Sequence, residues 1–248
     1  MNVMHAVILR DIRSRFFNHG LGFLIQPMMP VAHLLLLLTI YGVTGRQAVY
    51  GDDLYLFFAT GLVPSLTFMY ISRFMALSIV INKGMLAFPA VHLLDIVFAR
   101  SVLEIAGMIL SVFIMFVLIS ALGSNPYPAD PVEALIAMSL TMILAIGIGI
   151  IASVISAMYP FFATIYALST VCVYLSAGGP IYIQTFPEQV IYIASFNPVF
   201  HAVEWIRGAY YLGYPSQDLD KFYLVAWAFL SLAVGLAMER VLRKHILS

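Results

Sequence analysis

Residues 132–158 read VEALIAMSLTMILAIGIGIIASVISAM, and Glu133 is the only charged residue among them. A bilayer core about 30 Å thick is crossed by about 20 helical residues, each rising about 1.5 Å. Because the bilayer core holds no water, a helix lets such a run pair its own backbone polar groups. The run therefore predicts a transmembrane helix. Small residues recur every four positions along it and favour close packing of one face; they are Ala145, Gly149, Ser153 and Ala157.

Similar runs recur along the chain and are separated by short polar segments. They predict six transmembrane helices, at Leu21–Val43, Leu54–Ile81, Asp95–Leu122, Val132–Met158, Phe161–Ile183 and Phe222–Val241. The first run is too long for the apolar part of a signal peptide, and no small-x-small cleavage site follows it, so we expect it to be retained. The predicted fold class is an all-α integral membrane protein with a single transmembrane domain over residues 1–248.

The composition agrees with this class. Of the 248 residues, 62% are hydrophobic and 10% are charged, whereas about a quarter of a soluble domain is charged. The formal net charge is zero, so nothing in the overall charge points to a nucleic-acid partner. Cys172 is the only cysteine, which excludes an intrachain disulfide and a cysteine-based metal site.

The basic residues predict the orientation of the chain. With a cytoplasmic N-terminus, most of the twelve Lys and Arg residues fall on or near the cytoplasmic side: Arg10, Arg13, Arg15, Arg73, Lys83, Arg100, Arg240, Arg243 and Lys244. The outer side holds Arg46, Arg207 and Lys221. This bias obeys the positive-inside rule, and an even number of spans returns the C-terminus to the cytoplasm. We therefore expect both termini to be cytoplasmic.

Segment 4–18 precedes the first span and predicts an amphipathic helix that lies in the membrane interface. Arg10 and Arg13 point away from its apolar face. The apolar residues recur every four positions: Met4, Ile8, Ile12 and Phe16. One interpretation is a basic anchor that only sets the topology. The other is a platform for a cytoplasmic partner.

Segment 184–215, between the fifth and sixth spans, is too interrupted to cross the bilayer and predicts two re-entrant half-helices on the outer side. Pro187 can open the first, and Asn197-Pro198 reads as an N-cap followed by proline at the first helical position. Glu204 and Arg207 are spaced i, i+3 and can pair. These charges either sit in periplasmic water or belong to an outer gate, whose candidate residues are Asn197, Pro198, His201, Glu204 and Arg207.

Charged residues also fall within the predicted spans. Arg73 lies nine residues before Asn82, where a loop begins, and Glu104 lies nine residues after Asp95, where the loop ends. Equal offsets place the two at similar depth on adjacent antiparallel helices and predict a charge pair. Arg100, four residues before Glu104, competes for the same carboxylate. We favour a structural clamp over a substrate contact or a proton relay, because charges inside a membrane usually pair with one another.

Aromatic residues divide into two groups. Most of the fourteen tyrosines fall near the outer boundary, where an interfacial belt explains them. An aromatic ring face offers apolar contact to the C–H face of a sugar without fixing its register. The tyrosines within spans are therefore candidates for lining a channel: Tyr41, Tyr70, Tyr166 and Tyr174.

The sequence lacks the motifs of the common hydrolytic enzymes. The three lysines follow Asn82, Asp220 and Arg243, so no Gly-Lys dipeptide and no phosphate-cradling P-loop can exist. The H-E-x-x-H and G-x-S-x-G motifs are missing, and the six histidines are too far apart to suggest a metal site. We expect no catalysis and no bound cofactor in this chain. The energy for transport must then come from a partner or an ion gradient.

The order of these features carries a family resemblance. A basic interface helix and two spans precede the loop NKGMLAFP at residues 82–89, which leads to Leu94-Asp95-Ile96. An outer segment then runs from Phe196-Asn197-Pro198 to Gly213-Tyr214. Over nearly the whole chain this order resembles the ABC-2 permease family. It looks most like the capsular polysaccharide exporter permeases, in which the loop before the third span and an N-P…H…E…R outer helix have a similar appearance.

The resemblance implies a homodimer of permeases with two cytoplasmic ATPase subunits that bind ATP-Mg. A lipid-linked capsular polysaccharide would pass between the permeases across the bacterial inner membrane, towards periplasmic or outer-membrane export proteins. By the same analogy, the motion of the ATPase would reach the interface helix and the loop through Arg10, Arg13, Lys83, Met85, Leu86, Phe88 and Pro89. The uncharged connection at residues 158–161 is not assigned a second ATPase contact.

Two alternatives remain open. An ABC-2 permease for O-antigen, another lipid-linked glycan or a drug would show the same features. An ion-coupled secondary transporter would need a carboxylate in the middle of a span and an internal repeat. Glu104 is the only candidate carboxylate, and no duplicated half is visible.

Overall fold

The computed structural model of the chain describes residues 3–14 and 22–247. These residues form ten α-helices and two short 3-10 segments, with no strand among them. The helices are α1 (Val3–Ser14), α2 (Gly22–Val43), α3 (Leu54–Ala76), α4 (Ser78–Asn82), α5 (Leu93–Ala121), α6 (Pro131–Met158), α7 (Phe162–Ser176), α8 (Glu188–Ala194), α9 (Pro198–Tyr210) and α10 (Lys221–Leu247). The 3-10 segments are Lys83–Ala87 and Ile183–Thr185.

Five helical stretches in the described part of the chain are long and apolar enough to cross a membrane: α2, α3 with its continuation through Ala87, α5, α6 and α10. They confirm the all-α membrane class, and their ends lie close to the predicted ones. α10 continues beyond its predicted end, to Leu247. There Arg243 pairs with Glu239 one helical turn earlier at 3.0 Å, and such i, i+4 pairs stabilise a helix beyond the apolar run.

The fifth span is shorter than its predicted bounds, and it ends before Gly178-Gly179-Pro180, whose residues break helices. α7 has 15 residues and ends at Ser176, whereas the prediction carried this helix to Ile183. Gly178 has φ +81°, a backbone conformation that glycine adopts readily. Pro180 then lacks the amide hydrogen that a helix requires. An apolar run of sufficient length is therefore interrupted by its own backbone chemistry.

α6 lies between α3 and α10 and packs closely against both. A Cβ atom at Gly147 would lie 2.5 Å from a backbone nitrogen of α10, and one at Gly149 would collide with the Cβ of Met75 on α3. Two buried hydroxyls, of Ser153 on α6 and Ser78 on α4, share a hydrogen bond of 2.8 Å. Gly149 and Ser153 thus confirm that the predicted small stripe is a packing face.

α1 packs along the start of α5 and over the first 3-10 segment. Its Val7 is buried, and Ile8 packs beside Met85, Ile96 and Ala99. On the other side of the helix, Arg10 is exposed. The predicted amphipathic character holds over the described residues. Residues 15–18 of the predicted interface helix lie outside them.

The outer segment contains two short helices, α8 and α9, as the sequence predicts. Pro187 directly precedes α8, and the Asn197 side chain accepts a hydrogen bond of 3.0 Å from the Val199 amide at the start of α9. α9 packs against α3 and α6, so most of its residues are buried within the protein. This placement brings the charged residues of α9 beside the break that ends α7.

Gly147→Ala tests the close contact between α6 and α10. We expect it to lower the free energy of unfolding by about 1–3 kcal/mol, because the added methyl meets the backbone of α10 at Leu232 as well as the Ser231 side chain, and the backbone cannot easily move aside. This holds although alanine is the better helix former. The measurement is the melting temperature of the purified chain in detergent. Gly84→Ala is the matched control, since its Cβ meets nothing within 4 Å; equal melting temperatures for both variants would contradict the proposed contact.

Candidate functional site

The outer half of the molecule contains a buried ion pair on α9. Glu204 and Arg207 lie one helical turn apart, with Glu204 Oε1 3.3 Å from Arg207 Nη1. Their exposed fractions are 1% and 0%. The spacing predicted the pair. The interpretation that places the two charges in periplasmic water is wrong, whereas their membership of an outer gate stays a prediction. The charges do not sit in water, and in this structure they form part of the interior.

Three further groups complete what we call the outer polar cluster, which consists of Gln184, Glu204, Arg207, Tyr214 and the Gly178 carbonyl. Gln184 donates to Glu204 at 3.0 Å, and the Tyr214 hydroxyl donates to the same carboxylate at 3.1 Å. Arg207 Nη2 donates to the Gly178 carbonyl at 2.8 Å. The cluster therefore joins α9 to the segments before and after it.

The Arg207 guanidinium also lies between aromatic rings and against a glycine. Its central carbon is 5.0 Å from the centre of the Phe57 ring and 5.1 Å from that of Tyr182, within range of cation–π attraction. A Cβ atom at Gly61 of α3 would lie 2.6 Å from Arg207 Nη2 and 2.9 Å from the Gly179 carbonyl oxygen. Gly61 thus leaves room for the arginine and the α7 break to approach α3.

Burial shifts the pKa values of Glu204 and His201 on α9, which is not one of the spanning helices. Burial raises the pKa of Glu204, and the Arg207 charge with the hydrogen bonds of the cluster opposes that shift. Burial also lowers the pKa of His201. A neutral His201 fits its two contacts: Nδ1 accepts from the Asp220 amide at 3.1 Å, and Nε2 donates to the Ser195 carbonyl at 2.8 Å.

Asn197 and Pro198, the remaining candidates for the outer gate, begin α9. Beyond capping the helix, Asn197 donates from Nδ2 to the Val173 carbonyl at 2.8 Å and to the Ser176 hydroxyl at 3.0 Å. The five predicted gate residues thus share one buried helix that is tied to the end of α7. Gln184, Tyr214 and Gly61 were not predicted as members of this site, because each contacts α9 only in the folded chain.

A second region, the basic platform, consists of the exposed residues Arg10, Ile81, Lys83, Phe88 and Pro89. Phe88 is 64% exposed and Ile81 is 58% exposed, although both are apolar. Beneath this surface, Met85 is buried and Leu86 is half-buried against α1. The structure therefore brings the predicted interface helix and the predicted loop together. The side chain of Arg13 lies outside the described residues.

The charges within the spans pair differently from the prediction. Glu104 binds Arg100 on the same helix at 2.6 Å, and both are buried. Gln26 of α2 donates to the other oxygen of the carboxylate. Among the described residues no ion pair joins Glu104 to Arg73, so the expected contact between helices is not found. The prediction counted residues along one continuous helix, whereas the helix is broken at Leu77 between α3 and α4. Equal distances from a loop also do not determine which face of a helix a residue occupies.

The four candidate channel tyrosines fall in two places. The Tyr41 hydroxyl is buried and donates to the Pro180 carbonyl at 2.8 Å, which is a structural contact. Tyr70 and Tyr174 flank His33, with their hydroxyl oxygens 3.4 and 3.5 Å from its two ring nitrogens. Tyr166 lies nearby on α7 and shares a groove with Tyr70 and Arg73. His33 was missed, although it is a polar residue in the middle of an apolar run.

Nothing in the described part of the chain gathers three or more His, Cys, Asp or Glu side chains in a way that could hold a metal ion. Most of the buried polar side chains described above instead pair with one another or with backbone carbonyls. The arrangement is suited to holding helices and a helix break in place, and the exposed basic platform is suited to binding a partner.

Comparison with known proteins identifies relatives over the full length. The profile of the ABC-2 type transporter family matches residues 2–211. The polysialic acid transport protein KpsM of Escherichia coli is 28% identical over 99% of this chain and 95% of its own length. The capsule polysaccharide export inner-membrane proteins CtrC of Neisseria meningitidis and BexB of Haemophilus influenzae are 25% and 24% identical. Both alignments cover 98% of this chain and 92% of the relative.

Arg207→Met tests whether the outer polar cluster stabilises the fold. It leaves Glu204 as a buried charge without its cation, which we expect to cost about 3–5 kcal/mol. Combining Arg207→Met with Glu204→Gln should recover part of the loss, because no lone charge remains. The measurement is the melting temperature in detergent. Arg240→Met is the control, since Arg240 is exposed on α10 and lies outside the outer polar cluster. Single and double variants that both melt like the wild type would show that the cluster adds no stability.

Proposed function

The chain belongs to the ABC-2 type transporter family, whose profile matches most of its length, and from that membership we propose that it is the membrane permease subunit of an exporter driven by a separate ATPase. The observation that carries the proposal is the combination of a spanning helical bundle with the basic platform. The bundle supplies a membrane path. The sequence lacks a P-loop, so ATP-Mg would bind to the partner.

A lipid-linked capsular polysaccharide is the cargo that the similarities favour. The relatives named above are described as polysialic acid or capsule polysaccharide export proteins, and each aligns with nearly the whole chain. The groove lined by Tyr70 and Tyr166 agrees with a glycan, because both side chains combine ring faces with hydroxyl groups. Ion-coupled transport has less support, since Glu104 is already bound by Arg100 and Gln26.

The assembly and orientation follow from the same proposal. A second copy of the chain would complete the path, an ATPase dimer would bind on the cytoplasmic side, and periplasmic or outer-membrane export proteins would receive the cargo. The protein would lie in the bacterial inner membrane with both termini in the cytoplasm, as the basic residues indicate. Exposed apolar side chains on α7, such as Leu168 and Val171, offer a face for a second copy.

Coupling to the ATPase would occur at the basic platform. α1 packs on the loop between α4 and α5, so a force on either element reaches the start of α5. Phe88 and Ile81 are exposed apolar side chains that lie close in sequence to Lys83. Exposed apolar residues at the centre of a patch with charged residues at its edge are typical of protein-binding surfaces. Met85 and Leu86 would transmit the contact from beneath.

The outer segment would close the path on the far side. The outer polar cluster holds α9 against the α7 break, so α9 and its cap residues Asn197 and Pro198 would move as one unit with His201. We include Glu204 and Arg207 in this gate as the residues that fix its resting position.

Arg10→Glu combined with Phe88→Ser tests the coupling surface. We expect export of surface polysaccharide to be abolished and copurification of the ATPase to be reduced, because one change reverses a charge and the other removes an apolar anchor. The permease should remain inserted, since both side chains are exposed. Arg240→Glu is the control, an exposed residue on α10 outside the basic platform. Normal export by the double variant would exclude this surface as the dock.

Cysteine labelling from the outer side tests the gate. In a Cys172→Ser background, a cysteine at the half-buried Tyr211 should react faster with a membrane-impermeant thiol reagent when the complex is trapped with ATP than at rest. A cysteine at Leu212, which is 86% exposed, should react equally in both states. Equal rates at Tyr211 as well would indicate a static outer segment.

A further inference from the structure

An apolar pocket of about 260 Å³ lies between α3, α5 and α6, with the end of α9 as its fourth wall. Among the described residues that line it, none is charged. Small side chains and proline rings leave this space unfilled: Ala59, Pro64, Pro126, Pro131 and Ala134. An apolar cavity of about 150 Å³ already holds benzene in an engineered protein. The pocket is therefore large enough for part of one hydrocarbon chain.

The pocket is separate from the groove that Tyr70 and Tyr166 line, and the two share no lining residue. Its inner wall belongs to the core, since Ala59 and Met115 are buried. Its rim is open, because Leu135 there is 69% exposed. Since α3, α5 and α6 are spanning helices, this opening faces the hydrocarbon of the bilayer.

The depth of the pocket restricts what can lie in it. Pro126 and Pro131 line its outer end, at the connection between α5 and α6, and Met138 lines it seven residues further along α6. Seven helical residues span roughly 10 Å, whereas one leaflet contributes half of a bilayer core about 30 Å thick. In the proposed orientation the pocket therefore lies in the outer leaflet and matches most of the depth of one acyl chain.

A hydroxyl group lies near the mouth of the pocket. The Asp130 amide donates to the Ala209 carbonyl at 2.8 Å, which places the start of α6 beside Tyr210, the last residue of α9. Tyr210 lines the pocket, and its hydroxyl forms no hydrogen bond with any residue in the described part of the chain. This hydroxyl is therefore available to donate to a ligand.

The charge at the mouth is negative. Residues 122–136 contain Asp130 and Glu133 but no basic residue. Glu133 pairs with Lys221 at 2.6 Å. The Asp130 carboxylate accepts from the amides of Val132 and Glu133, and no ion pair reaches it from the described residues. A cationic group on a ligand is attracted to this end of the pocket, and an anionic group is repelled.

We propose that the pocket holds one acyl chain of an outer-leaflet phospholipid whose headgroup carries an ammonium, as in phosphatidylethanolamine. The chain lies against Met115, Ala134 and Met138, and the ammonium contacts Asp130. The Tyr210 hydroxyl donates to a phosphate or ester oxygen. The lipid thereby joins α9 to α5 and α6. The proposal rests on the proposed function only for the orientation of the protein in the membrane.

The binding test uses the full-length chain purified in detergent. The probes are phosphatidylethanolamine and phosphatidylglycerol with identical acyl chains, the readout is native mass spectrometry, and we expect the wild type to retain phosphatidylethanolamine preferentially. Ala134→Phe fills the pocket and should lower this retention about tenfold, which corresponds to the lost burial of about two methylene groups. Ala106→Phe is the matched control and should bind like the wild type, since Ala106 is exposed on α5 outside the pocket.

Asp130→Asn tests the headgroup contact while preserving the fold. Asparagine caps a helix about as well as aspartate does, so the start of α6 should be unchanged. We expect this variant to retain the two probes equally. An undiminished preference for phosphatidylethanolamine in Asp130→Asn would overturn the proposal, and so would equal retention of the two probes by the wild type.

Photolabelling locates the acyl chain without any substitution and so guards against a folding defect in Ala134→Phe. A phosphatidylethanolamine probe with a diazirine in its acyl chain, added to the wild type in lipid vesicles, should label Met115, Phe116 or Met138. Labelling confined to other residues would overturn the proposal. Labelling of a monomer in detergent but not of a dimer in vesicles would identify a second copy of the chain as the occupant, and it would also overturn the proposal.

These assays need neither an ATPase nor a glycan. A chain that binds the probes as expected and exports no polysaccharide would reject the proposed function alone. Normal export by a chain that shows no such binding would reject the lipid pocket alone.

Discussion

The absence of water from the bilayer core requires that every backbone carbonyl released from a helix find a donor within the protein. The break after α7 meets this requirement with side chains from elsewhere in the chain. Arg207 of α9 donates to the Gly178 carbonyl, and Tyr41 of α2 donates to the Pro180 carbonyl. The ends of three helices are thereby fixed relative to one another, and the outer half of the molecule is organised around them.

This requirement explains why an apolar run can stop short of the far side of the membrane. α7 ends at Ser176, and the space beyond it is filled by α9, which packs against α3 and α6. Gly61 is part of the same arrangement, because any side chain there would displace Arg207 or the Gly179 backbone. The outer polar cluster is therefore structural in the resting state, and any opening of the outer side must move it as a unit.

The sequence was sufficient for features set by local chemistry. Run length located the long helices, Asn197-Pro198 located the start of α9, and the i, i+3 spacing identified the Glu204–Arg207 pair. It was insufficient for contacts that depend on which face of a helix a residue occupies. It was also insufficient for contacts that form only when separate parts of the chain pack together. Arg73 and Glu104 were matched by depth, yet Arg100 lies on the same face as Glu104 and is always within one turn of it. The donors Gln26, Gln184 and Tyr214 could not be assigned because each contacts a residue distant in sequence.

The distribution of charge partners separates structural from functional charges in this bundle. Arg100 and Arg207 each have a carboxylate one turn away on their own helix, so their pairing requires no particular arrangement of the bundle. Such charges stay neutralised when helices shift. Arg73 has no acidic residue within four positions on either side of it, so no carboxylate on its own helix is placed to neutralise it. Because helices can shift against one another more easily than residues can move within one helix, the surroundings of Arg73 depend on how α2, α3 and α7 pack together.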